Sequence, residues 1–68
     1  MNMIPVSSSN ISSIGYENGT LYVHFYKGGT YAYSNVPESV FNSLMNASSH
    51  GKFLKQHIEK SYPYRKIN

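Results

Sequence analysis

Residues 16–33 read YENGTLYVHFYKGGTYAY, and the fold depends on where that stretch turns. Asn18-Gly19 is a strong hairpin signal, because both residues accept the positive φ of a type I′ turn. With those two residues as the loop, Glu17 faces Thr20, Tyr16 faces Leu21 and Ile14 faces Val23. Partners directly across an antiparallel pair share a sheet face. Ile14, Tyr16, Leu21, Val23 and Phe25 therefore lie together and predict a core face. Tyr22, His24 and Tyr26 alternate with them at period two.

Gly28-Gly29 supplies a second turn, and Thr30-Tyr31-Ala32-Tyr33 a third strand rich in β-formers. Here the parity of the loop decides the outcome. A two-residue Gly28-Gly29 loop sets Phe25 opposite Ala32 and Tyr26 opposite Tyr31. Tyr22, His24, Tyr26, Tyr31 and Tyr33 then form one aromatic face turned away from the core. A three-residue Lys27-Gly28-Gly29 loop moves every side chain of the strand to the other face, because the side-chain period is two. Tyr31 and Tyr33 then join Phe25 and Val23 in the core. Gly-Gly is a common two-residue hairpin loop, so the even loop is the expected one.

Outward from the hairpins the pattern changes period. Pro37 suits the start of a helix, where a missing N–H costs little. Val40, Phe41, Leu44 and Ala47 then form an amphipathic stripe. Ser48, Ser49 and Gly51 break that helix and cap the next, whose stripe is Phe53, Leu54, Ile58 and Tyr62. Tyr62-Pro63 ends it, since a residue before proline is pushed away from helical angles. Residues 1–9, with Pro5 and three successive serines, read as an arm, residues 10–63 as the domain and residues 64–68 as a tail. The expected class is α+β, a three-stranded antiparallel β-meander followed by two short helices on one face of the sheet.

A chain of 68 residues makes one domain and buries only ~60% of the surface its unfolded form exposes. The sequence has no cysteine, which excludes a disulfide framework and cysteine-based zinc sites. Stability must then come from local structure and large side chains, and seven Tyr and three Phe supply them. Met1–Val6 has neither a basic start nor an apolar run, so no signal peptide is expected. No stretch approaches the ~20 apolar residues of a membrane span. The expected location is cytoplasmic. The formal charge is +3. Lys52, Lys55, Lys60, Arg65 and Lys66 cluster near the C-terminal end, which hints at an anionic partner, although a solvated helix face plus a soluble tail is the commoner source of such a run.

Catalytic patterns are missing. The chain has no Asp, and Glu17, Glu38 and Glu59 are its three carboxylates. No strained nucleophile turn surrounds Ser48 or Ser49, and a helix start uses such hydroxyls to satisfy backbone N–H groups. His24, His50 and His57 lack the spacing of a helical two-histidine metal motif. The glycines form no phosphate-cradling loop between a strand and a helix. Neither catalysis, a cofactor nor a metal is expected.

Ile14-Gly15-Tyr16, the central Tyr31-Ala32-Tyr33, Val36-Pro37 and the run from Ala47 to Phe53, followed by Tyr62-Pro63, together resemble the KTSC domain. The resemblance spans roughly residues 6–65. Glu17 departs from it, standing where the family is expected to carry Asp. The family occurs as short bacterial and phage proteins and as a C-terminal addition to some lysyl-tRNA synthetases. It has no established activity, and the resemblance implies at most RNA binding, with Tyr31 and Tyr33 in the place of the family's central tyrosine pair. Aromatic faces stack unpaired bases, and nearby cations attract the backbone. The expected function is a non-enzymatic module that binds RNA, with Tyr22, Tyr26, Tyr31 and Tyr33 stacking and Lys52, Lys55 and Arg65 meeting phosphates. The alternative is a protein-interaction domain or homodimer using the same face, or the uncharged edge that Tyr31-Ala32-Tyr33 would offer.

Overall fold

A computed structural model describes residues 2–68 of the protein. Its elements are β1 (Ile4–Pro5), β2 (Ile11–Glu17), β3 (Thr20–Phe25), β4 (Gly29–Tyr33), α1 (Glu38–Met45), α2 (His50–Phe53) and β5 (Tyr64–Lys66). α2 continues without a break into a π-helical turn over Leu54–Ile58. The described strands form one five-stranded antiparallel sheet in sequence order, with both helices between β4 and β5 in the chain. The α+β class stands, but the meander has five strands rather than three. Its two additions come from the segments expected to be arm and tail.

The first hairpin has the register its turn predicts. Asn18 and Gly19 take φ of 52° and 79°, and Glu17, Tyr16 and Ile14 pair with Thr20, Leu21 and Val23. Upstream, an irregularity between Ile11 and Ser13 leaves Ser12 unpaired. A bulge of this kind inserts one residue and resets the alternation. It allows both Ile11 and Ile14, three residues apart, to reach the same core, where each is fully buried.

The second hairpin overturns the even loop. Phe25 pairs with Gly29, Val23 with Tyr31 and Leu21 with Tyr33, so Tyr26, Lys27 and Gly28 lie in the turn. Tyr31 and Tyr33 thus belong to the face of Leu21, Val23 and Phe25, and Tyr33 is 2% exposed. The physical reason is burial. A domain this small gains more from placing two large rings beneath the helices than from placing Ala32 there, at ~25 cal/mol per Å² of apolar surface removed from water. Gly29, at φ +82°, makes the odd turn accessible, since a glycine in the left-handed region commonly closes three-residue hairpin loops.

Val36 joins sheet to helices. Its N–H donates to the Gly19 carbonyl at 2.8 Å, and its carbonyl accepts from the Tyr16 hydroxyl. The Tyr16 ring stacks on Phe41 of α1 with centroids 4.9 Å apart. Pro37, at φ −62° and ψ 149°, is the N-cap of α1 rather than its first helical residue. Leu44, Leu54 and Ile58 then close over Ile11, Ile14, Leu21 and Val23 as one buried cluster.

Ser49 caps α2 as its hydroxyl accepts from the Lys52 N–H at 3.2 Å. His50 Nδ1 lies 2.9 Å from the Leu44 carbonyl, an acceptor, so that nitrogen carries the proton. His24 Nδ1 meets the Thr30 hydroxyl at 2.7 Å, and His57 packs on Phe53. Each histidine thus makes a contact within the fold, and His57 is also exposed to solvent.

β5 closes the sheet beside β4. The Ile67 N–H donates to the Thr30 carbonyl at 2.9 Å, and the Ser34 N–H to the Pro63 carbonyl at 2.8 Å. A Cβ added to Gly29 would come 1.8 Å from the Asn68 carbonyl oxygen, whereas Gly19 has nothing within 4 Å of such an atom.

Two stability predictions follow from these contacts. Tyr33→Ala should cost about 3–5 kcal/mol, as for other large aromatic truncations in cores. That matches the ~3–5 kcal/mol a single core of this size supplies. Circular dichroism should show Tyr33→Ala largely unfolded in water, while Tyr26→Ala, at a residue 61% exposed, keeps the parent's urea midpoint. Gly29→Ala should lower the midpoint more than Gly19→Ala and speed hydrogen exchange at the Ile67 amide, because only the former displaces the strand beside it.

Candidate nucleic-acid interface

The odd register gathers aromatic rings at the β4–β5 end of the covered face. Phe25 meets Tyr31 edge-to-face with centroids 5.7 Å apart and planes at 85°. Tyr64, paired with Tyr33 across β4 and β5, lies 5.5 Å from both the Tyr31 and the Tyr33 rings. These rings form a ladder that is buried at Tyr33 and open at Tyr64, which is 55% exposed.

A cleft of about 440 Å³ opens over the ladder, within the size range of small-ligand sites. The β3–β4 turn contributes Lys27 and Gly28, and the end of the π-helical turn contributes Glu59 and Lys60. The Glu59 N–H donates to the Leu54 carbonyl five residues back, at 2.9 Å, which closes that turn as it reaches the cleft. A second hollow of about 240 Å³ lies across the β3–β4 turn, between Ser9, Asn10, Tyr26 and Lys27. Lys27 borders both, so the turn forms a cationic ridge between two concavities.

The Tyr33 phenol is pushed up to about 12, first by burial and then by the Glu59 carboxylate and the phenols of Tyr64 and Tyr31. It is therefore a hydroxyl donor throughout the neutral range.

The residues expected to form one site are divided among several places. Tyr31 and Tyr33 line the cleft, and Tyr26 borders the second hollow. Tyr22 lies on the opposite, uncovered sheet face, opposite Gly15 on one side and Ala32 on the other. Arg65 is on that face too, paired with Ala32. Lys52 and Lys55 are exposed on the second helical segment and border neither concavity. The single aromatic platform is thus corrected to a ladder on the helix side and an isolated Tyr22 on the other. Lys27, Glu59, Lys60 and Tyr64 are the cleft residues that sequence reasoning missed. Tyr64 and Lys66 alternate with Arg65 at period two, which is the one available signal for β5.

No helix among the described residues is long and apolar enough to cross a membrane. No group of three or more His, Asp or Glu among those residues could hold a metal ion.

The raised Tyr33 phenol makes stability depend on alkaline pH. Below the ordinary tyrosine range near 10 the phenol is neutral in both states, and its full contribution is present. Between about 10 and 12 the unfolded chain ionises while the folded chain does not, so stability falls as pH rises. The loss over that window is about 2–3 kcal/mol at 1.36 kcal/mol per pKa unit. Urea midpoints measured from pH 9 to 12 should decline more steeply for the parent than for Tyr33→Phe.

Comparison with known proteins agrees with this architecture. The KTSC domain model matches residues 7–62. A protein of Tsukamurella paurometabola is 43% identical over 54 residues, covering 76% of this chain and 81% of that one. An uncharacterized protein of Stutzerimonas stutzeri is 36% identical over 67 residues, covering 96% and 93%. The crystal structure of a KTSC domain protein from Yersinia pestis superposes with a TM-score of 0.95 at 42% identity, covering 98% of this chain and 97% of that one. With a family model spanning most of its length and a solved relative of the same topology, this chain belongs to the KTSC domain family.

Proposed function

We propose that this chain is a small non-enzymatic binding module whose ligand is single-stranded RNA, taken up in the tyrosine-lined cleft. The observation that carries the reading is the meeting of an exposed aromatic ring, Tyr64, with two cations, Lys27 and Lys60, around one concavity. A base stacked on such a ring contributes ~1–3 kcal/mol, and the lysines attract the flanking phosphates with a strength that falls as salt rises. Tyr31 and Tyr33 take part by holding Tyr64 at stacking distance, and so build the platform on which a base stacks.

Self-assembly through a free edge has less support. β4 is internal to the sheet, so Tyr31-Ala32-Tyr33 offers no edge. The outer strands are β1, two residues long and ending in Pro5, and β5, which carries Arg65 and Lys66. Short strands, proline and charge are what blunt edges against pairing.

Titration of a labelled mixed-sequence single-stranded RNA at low and moderate salt, beside light scattering of the protein, tests the reading. Binding that weakens with salt is expected from a monomeric chain, and Tyr64→Ala should weaken it roughly tenfold while keeping the fold. No binding at high micromolar protein in low salt, together with a stable dimer, would replace RNA with self-assembly.

A further inference from the structure

The cleft holds one carboxylate among its cations and phenols. Glu59 is exposed and lines it together with Lys60, Tyr33 and Tyr64. It shares that cleft with Tyr33, whose phenol feels its charge. A carboxylate opposes bound phosphate, so in a site built only to hold an RNA backbone Glu59 would be a liability. Its presence is explained if it meets the base.

An ionised carboxylate only accepts hydrogen bonds, and its two oxygens match two adjacent donors. Unpaired bases are read on their Watson–Crick edges, and only one of the four presents adjacent donors there. Guanine carries its ring N1–H beside its exocyclic amino group. Adenine and cytosine each set a single amino donor beside a ring acceptor, and uracil flanks its one N–H with two carbonyls. Guanine also carries a carbonyl next to its ring N–H, an acceptor that calls for a donor next to the carboxylate. The Tyr33 hydroxyl, in the same cleft, can supply such a donor and stays protonated across the neutral range.

We propose that the cleft selects guanine, with Glu59 accepting from the ring N–H and amino group, Tyr33 donating to the carbonyl, and the base stacked on Tyr64. Lys27 and Lys60 then meet the phosphates on either side. This inference rests on the RNA-binding reading above and adds the identity of the base to it.

Fluorescence anisotropy with a short labelled uridine oligonucleotide, and with the same oligonucleotide carrying guanine, adenine or cytosine at its centre, separates the two. A bidentate base contact discriminates by ~1–3 kcal/mol, so the guanine oligonucleotide should bind ~10-fold or more tightly than the other three. Glu59→Gln, a change at an exposed residue, should collapse that ratio toward one, because an amide offers a donor where guanine needs a second acceptor. Equal binding of all four, or a guanine preference that survives Glu59→Gln, overturns guanine selection while leaving RNA binding in place. Failure of every oligonucleotide to bind overturns both.

Discussion

Pairing Phe25 with Gly29 sets the face of every side chain on β4. Strands tolerate no intermediate state here, since one residue of slip exchanges the two faces completely. With Tyr26, Lys27 and Gly28 in the turn, Tyr33 fills the core and Tyr31 lies at its margin. Tyr64 can then stack on both from β5. The aromatic ladder, the cleft above it and the ridge formed by Lys27 all derive from that register. They require the turn to hold an odd number of residues, and Gly29 supplies the left-handed backbone that allows it.

A domain without disulfides must make its few long-range contacts serve more than one purpose. Val36 shows how: its backbone satisfies the Gly19 carbonyl of the first turn and the Tyr16 hydroxyl of β2. The same Tyr16 ring stacks on α1. Turn, strand and helix are thereby joined at one residue that is 1% exposed. Such convergence suits a small core, where the conformational entropy of each ordered side chain must be offset by several contacts at once. The Leu44 carbonyl is likewise shared, accepting from the Ala47 N–H at 3.2 Å and from the His50 side chain of the next helix at 2.9 Å.

Much of this was legible in the sequence where local chemistry determines structure. Asn18-Gly19 specified its own turn and register, Ser49 its cap, and the apolar spacing of Leu44, Leu54 and Ile58 their burial. What could not be read was decided by tertiary competition. Gly28-Gly29 is compatible with either loop parity, and only the volume available beneath the helices chooses between them. β1 and β5 are exposed throughout and are held by backbone hydrogen bonds, so they leave almost no apolar pattern to detect. The candidate site inherited both gaps. Its residues were sought on the uncovered face, where Tyr22 and Arg65 lie, while Lys27, Glu59, Lys60 and Tyr64 came together through the odd turn and the unrecognised fifth strand.

The π-helical turn has a different kind of consequence. A bond spanning five residues instead of four accommodates one extra residue within a turn. Leu54 and Ile58 stay buried on one side, and Lys55, Gln56 and His57 bulge outward, all exposed. Chain length is therefore negotiable at this point of the fold. Loss of one of those three residues would restore ordinary α-helical bonding with Ile58 still in the core and Glu59 and Lys60 still at the cleft. The extra residue is taken up on the solvent side of the turn, as slack in a seam is taken up on the outside, with Leu54 and Ile58 kept within.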